Sequence, residues 1–90
     1  MEETNGKIMI IINKKVYRFK SSYKVVEYFT NDENINNTEG LTDEMLFVLQ
    51  RPHMINRILK CLNGEEQDFF LKEKTIVKYC SIPNFTLLRN

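Results

Sequence analysis

A chain of 90 residues with 13 Lys and Arg against 12 Asp and Glu carries a net charge of +1. That length makes one small domain with a thin stability margin, and that balance gives no broad electrostatic pull toward nucleic acid or an anionic membrane. The hydrophobic share, 42%, is that of a globular protein, and no apolar run approaches the roughly 20 residues of a membrane span.

Residues 1–6 are acidic and polar, end in Gly6, and read as a loose tail unlike a secretion signal. Lys7 then opens Ile8-Met9-Ile10-Ile11-Ile12, a β-branched run that predicts a strand buried on both faces. Asn13-Lys14-Lys15 is a turn candidate without the Asn-Gly signature of a tight hairpin. Val16 to Lys20 alternates, with Tyr17 and Phe19 on one face and Val16 and Arg18 on the other, so the two runs form a β-hairpin. Ser21 and Ser22 can cap a short amphipathic helix over Tyr23 to Thr30, where Val25, Val26 and Phe29 fall at helical spacing. Asn31 to Gly40 has Ile35 as its one large apolar residue and reads as a solvated loop or a mobile excursion.

Met45 to Gly64 organises the chain. Met45-Leu46-Phe47-Val48-Leu49 is a compact apolar run, and Gln50-Arg51-Pro52 breaks it. Thr42 could cap a helix through Leu49, but the β lean of Phe47-Val48 and the nearness of Pro52 favour a buried strand. After the break, Ile55, Ile58, Leu59 and Leu62 lie at i, i+3, i+4 and i+7, which predicts a core helix with Pro52 at its start and Gly64 at its end. Asp68 can cap a third helix, along which Phe69, Phe70, Ile76, Val77 and Cys80 repeat through Tyr79. Ser81-Ile82-Pro83 is a break, and Asn84 to Leu88 reads as one more turn of helix. The fold class is therefore α+β (or α/β): one domain over residues 7–90, with a small three-stranded sheet beside a cluster of helices.

No nucleophile–base pair, phosphate loop or metal motif stands in the chain, so no enzyme and no cofactor is expected. His53, Cys61 and Cys80 lack the closely spaced pairs of a structural zinc site. The two cysteines read as buried reduced thiols, in keeping with a cytoplasmic or nuclear setting. Asp32-Glu33 and Asp43-Glu44 read as solvated carboxylates rather than an acid–base pair. Lys14, Lys15, Arg18 and Lys20 surround Tyr17 on the hairpin, and such interleaving can bind single-stranded nucleic acid. The plainer alternative is a solvated edge whose lysines deter edge-to-edge pairing. Tyr23, Tyr28, Tyr79 and Phe85 are too many aromatics for so small a core, which makes them a cue for a protein partner. The abundance of Asn, Lys and Ile, with no Ala, points to an AT-rich genome such as that of a large DNA virus or a protozoan.

Three groups of residues carry a resemblance. Ile10-Ile11-Ile12-Asn13 and Arg18-Phe19 stand where one family has a strand ending in Asn and a second ending in a basic residue and Phe. Phe47, Pro52, Ile55, Ile58-Leu59 and Gly64 match its aromatic-led strand, proline turn and helix with a paired aliphatic step. Lys78-Tyr79-Cys80-Ser81-Ile82-Pro83 resembles its closing helix. In order and spacing the chain resembles a BTB/POZ domain of the potassium-channel tetramerisation branch, from about Lys7 to Pro83. The resemblance implies a non-enzymatic module that binds itself as a homo-oligomer and docks on a cullin scaffold as a ubiquitin-ligase adaptor, or mimics one. The expected partner-binding residues are Gln50, Arg51, His53, Tyr79 and Phe85. The resemblance also offers the acidic Glu65-Glu66 and Asp68 with Lys72, Lys74 and Lys78 as a charged strip between subunits, beside the plainer reading of solvated faces. The cysteine–histidine cluster that holds zinc in some channel members is missing.

Overall fold

Ile8–Ile12 (β1), Lys15–Phe19 (β2) and Phe85–Arg89 (β3) form an antiparallel sheet in the order β2-β1-β3. The computed structural model describes residues 7–62, 78–79 and 81–89, apart from the side chains of Cys61 and Leu62. The period of two in β1 sends Ile8, Ile10 and Ile12 into the core beside Phe85 and Leu87 of β3. Met9 and Ile11 point the other way and are only half-buried. The expectation of a strand buried on both faces is therefore corrected: Ile8, Ile10 and Ile12 are buried, while Met9 and Ile11 on the other face keep part of their surface exposed.

Ile12 pairs with Lys15, which leaves Asn13 and Lys14 as a two-residue hairpin loop. Their φ angles are +52° and +74°, both positive as a type I′ turn demands. A lysine thus occupies the position where glycine is favoured. The loop is braced on two sides: the Asn13 N–H donates to the Asn84 carbonyl at 2.9 Å, and Gly40, at φ +84°, passes so close that a Cβ there would lie 2.7 Å from Asn13 Cβ.

Four helices lie among the described residues: Ser22–Tyr28 (α1), Asp32–Asn36 (α2), Asp43–Leu49 (α3) and Pro52–Leu62 (α4). In α1 the Ser21 side chain accepts from the Lys24 N–H, and Val25 is buried, with Phe29 buried just past its end. Tyr17 and Phe19 lay their rings against Tyr28 and Phe29, with centroids 5.4–6.2 Å apart, and this closes the hairpin onto α1.

Three expectations are overturned. Residues 31–40 are not all loop: the Asn31 side chain accepts from the Glu33 and Asn34 N–H groups, and Asp32 and Glu33 sit in the first turn of α2, where the helix dipole favours them. The Asn-rich composition that suggested a loop also supplies the caps of a short polar helix. Residues 45–49 are not a strand. Thr42 caps α3 by accepting from the Met45 N–H at 3.2 Å, and Met45, Val48 and Leu49 fall on one buried helical face. That burial outweighs the weak β lean of Phe47-Val48. Residues 84–88 are not a helical turn: Phe85 and Leu87 alternate inward, and the run pairs along the whole of β1. The sheet has the expected three strands, but the third comes from the C-terminal end of the chain.

In α4 Ile55, Ile58 and Leu59 are fully buried at the expected spacing, and Pro52 is the first helical residue. The cap at Gly64 and the helix from Asp68 to Cys80 lie outside the described residues, except that Lys78 and Tyr79 are helical. The strip formed by Glu65, Glu66, Asp68, Lys72 and Lys74 lies outside them too.

Candidate functional site

The corner between α3 and α4 gathers most of the residues expected at a partner surface. Burial of Met45, Val48 and Leu49 turns Phe47 and Glu44 outward, and Phe47 is 37% exposed. Four residues on, Arg51 folds back over it. Its guanidinium donates to the Phe47 carbonyl at 2.8 Å and lies 3.9 Å from the centre of the Phe47 ring. The same residue starts α4, because the Arg51 carbonyl accepts from the Met54 and Ile55 N–H groups. The corner is thus fixed by backbone and side chain together.

Tyr79 stacks on Phe47, with centroids 5.3 Å apart and ring planes 17° from parallel. Lys78 reaches 4.0 Å from the Glu44 carboxylate and 5.6 Å from the Tyr79 ring. Residues 33 or so positions apart in the chain, about nine turns of helix if continuous, therefore meet on one surface: Arg51, Phe47, Tyr79, Lys78 and Glu44. Arginine and aromatic side chains held in fixed rotamers bury large area on association at a small entropic cost.

The other expected residues divide. Gln50 is half-buried, and its amide donates to the Phe29 carbonyl at 2.9 Å, tying α3 to the end of α1. His53 is exposed on the first turn of α4. Phe85 is a correction: it is 7% exposed, opposite Ile12, and belongs to the core. On the expected terminal helical turn its ring would face out; strand pairing turns it in. Tyr28 is half-buried in the aromatic cluster, while Tyr23 is 74% exposed. Phe47 was missed because a buried strand hides every second residue. Thr42, three residues ahead of Met45, was the signal that could have found it.

The alternative nucleic-acid residues do not share a face. Lys14 is in the turn, Lys15 lies 5.4 Å over the Tyr17 ring on one side of β2, and Arg18 projects from the other. Lys20 lies past the strand, at the opposite end from the turn. Among the described residues no three His, Cys, Asp or Glu side chains group as a metal site would need, and no helix is long and apolar enough to cross a membrane. Cys80 and the Cys61 side chain are outside that description. No protein-family model, curated protein or solved structure matches the chain.

Proposed function

We propose that this chain is a non-enzymatic protein–protein interaction module that assembles with copies of itself through the α3–α4 corner. The observation that carries the reading is the exposed Phe47 ring, in contact with both the Arg51 guanidinium and the Tyr79 ring. These are the residue types that dominate binding energy at protein interfaces. A chain of 90 residues also gains from association, because it can bury only about 60–65% of its unfolded surface alone.

The resemblance to BTB/POZ domains agrees with self-assembly. The family's aromatic-led strand would fall at Phe47, where this chain has α3, so the surface carries the reading and the family adds to it. Sedimentation equilibrium of the full chain tests it. The expected mass is a multiple of 10.8 kDa that falls toward 10.8 kDa on dilution. A chain that stays at monomer mass at high micromolar concentration is not a self-assembly module. A cullin-adaptor role is the finer form of the same reading and rests on the resemblance alone. Capture of a purified cullin scaffold at micromolar concentration supports it, and an empty capture rules it out.

A further inference from the structure

Where the sheet ends away from the hairpin turn, an open cleft of about 600 Å³ is lined by Lys7, Lys20 and Arg89, by Ser22 and Tyr23 at the start of α1, and by Asn56 of α4. The sheet brings the cations together. Ile8 pairs with Phe19 on one side and Arg89 on the other, so Lys7 and Lys20 stand across from each other one step beyond the ladder. Like charges set opposite one another on neighbouring strands repel. Among the described residues no acidic side chain lines the cleft, and neither lysine has an ion pair.

A second observation points to a ligand. Ser22 is only 6% exposed, lines the same cleft, and its hydroxyl has no hydrogen-bond partner among the described residues. Buried hydroxyls are almost always partnered, so an unpartnered one on a residue that lines a cationic cleft has a proton to donate to an acceptor bound there. At the rim, the Tyr23 ring is 74% exposed and stacks on no other ring among the described residues. It offers a flat apolar surface to a planar group.

We propose that this cleft binds a small molecule bearing a phosphate monoester and a planar ring, as a nucleoside monophosphate does. The phosphoryl oxygens pair with the ammonium groups of Lys7 and Lys20 and accept a hydrogen bond from the Ser22 hydroxyl, and the ring lies on Tyr23. A phosphoryl group suits the site better than a carboxylate. It carries up to two negative charges and three acceptor oxygens, which answers two cations and a hydroxyl at once. The volume is within the roughly 300–1,000 Å³ of small-molecule sites. Nothing in this reading depends on self-assembly at the α3–α4 corner.

The test is a calorimetric titration of the full chain with AMP and, separately, with inorganic phosphate, at fixed ionic strength. Saturable 1:1 binding is expected, with AMP the tighter of the two. Lys7→Ala and Lys20→Ala should each weaken AMP about tenfold, the loss for one charge-assisted contact. Tyr23→Ala should remove the advantage of AMP over phosphate. Ser22→Ala should weaken both anions while leaving the melting temperature of the free protein the same or higher, because it deletes a buried unpaired hydroxyl. Lys14→Ala is the control: it removes the same charge from the far end of the hairpin and should leave affinity unchanged. Absence of saturable binding overturns the site. So does a loss in Lys14→Ala equal to that in Lys20→Ala, which would mean general attraction to a basic strand. Equal affinity for AMP and phosphate overturns the role of Tyr23.

Discussion

Replacing Arg51 with Ala removes two contacts of different kind. The first is the guanidinium hydrogen bond to the Phe47 carbonyl at 2.8 Å, which closes the last turn of α3. A charged donor to a carbonyl contributes about 1.5–3 kcal/mol, and the half-buried position of Arg51 puts this one near the lower end. The second is the contact with the Phe47 ring at 3.9 Å, worth about 0.5–1 kcal/mol where the ring is partly exposed. Arg51→Ala should therefore cost about 2 kcal/mol. A domain of this size has roughly 5–13 kcal/mol in hand, so the variant stays folded and measurable. With a urea slope of about 1 kcal/mol per molar, the midpoint should fall by about 2 M. A double-mutant cycle with Phe47→Ala separates the two contacts. The Phe47 carbonyl belongs to the backbone and survives the substitution, so the coupling energy reads the ring contact alone and should be about 0.5–1 kcal/mol. The unfolding curves are taken at two protein concentrations, because association would add to apparent stability. A coupling below about 0.3 kcal/mol refutes the claim that arginine and ring hold each other in place.

Three further outcomes follow from local geometry. Lys14→Gly relieves a side chain from φ +74° and should raise stability by about 1 kcal/mol in urea unfolding; no gain would mean that the loop pays no conformational penalty there. Gly40→Ala sets a methyl 2.7 Å from Asn13 Cβ at φ +84° and should lower stability by more than about 1 kcal/mol, with amide exchange quickened at the hairpin loop. Thr42→Ala removes the cap of α3 and should cost about 1 kcal/mol, while Thr42→Ser restores most of it; equal loss in both would point to packing of the methyl group instead.

The legible parts of this fold were those governed by local period. Ile8 to Ile12 and the alternation of Tyr17 and Phe19 follow from a repeat of two, and Ile55, Ile58 and Leu59 follow from a repeat near 3.6. What could not be read locally was settled by partners far away in the chain. Phe85 to Arg89 is too short to declare itself, and it becomes a strand only because β1 offers a second edge seventy-odd positions earlier, roughly the full span of the domain. Leu46 to Leu49 carries both an aliphatic run and a helical spacing, and the Thr42 cap decided between them. The same helix sets the surface, since burial of Met45, Val48 and Leu49 on one of its faces turns Phe47 outward. Arg51 and Tyr79 were anticipated as partner residues, but their meeting over Phe47 depends on a tertiary contact that no local pattern encodes. The cleft at Lys7 and Lys20 was equally invisible, because strand register alone sets them side by side.

The most direct measurement is light scattering of Phe47→Glu beside the wild-type chain over the same range of concentrations. Phe47 is exposed, so the substitution leaves the core intact, and circular dichroism verifies that the fold is kept. The wild-type chain should show a mass that is a multiple of 10.8 kDa, and the variant, with a carboxylate set into the contact, should show 10.8 kDa throughout. A folded variant that assembles as the wild-type chain does would contradict the assignment of the α3–α4 corner as the interface.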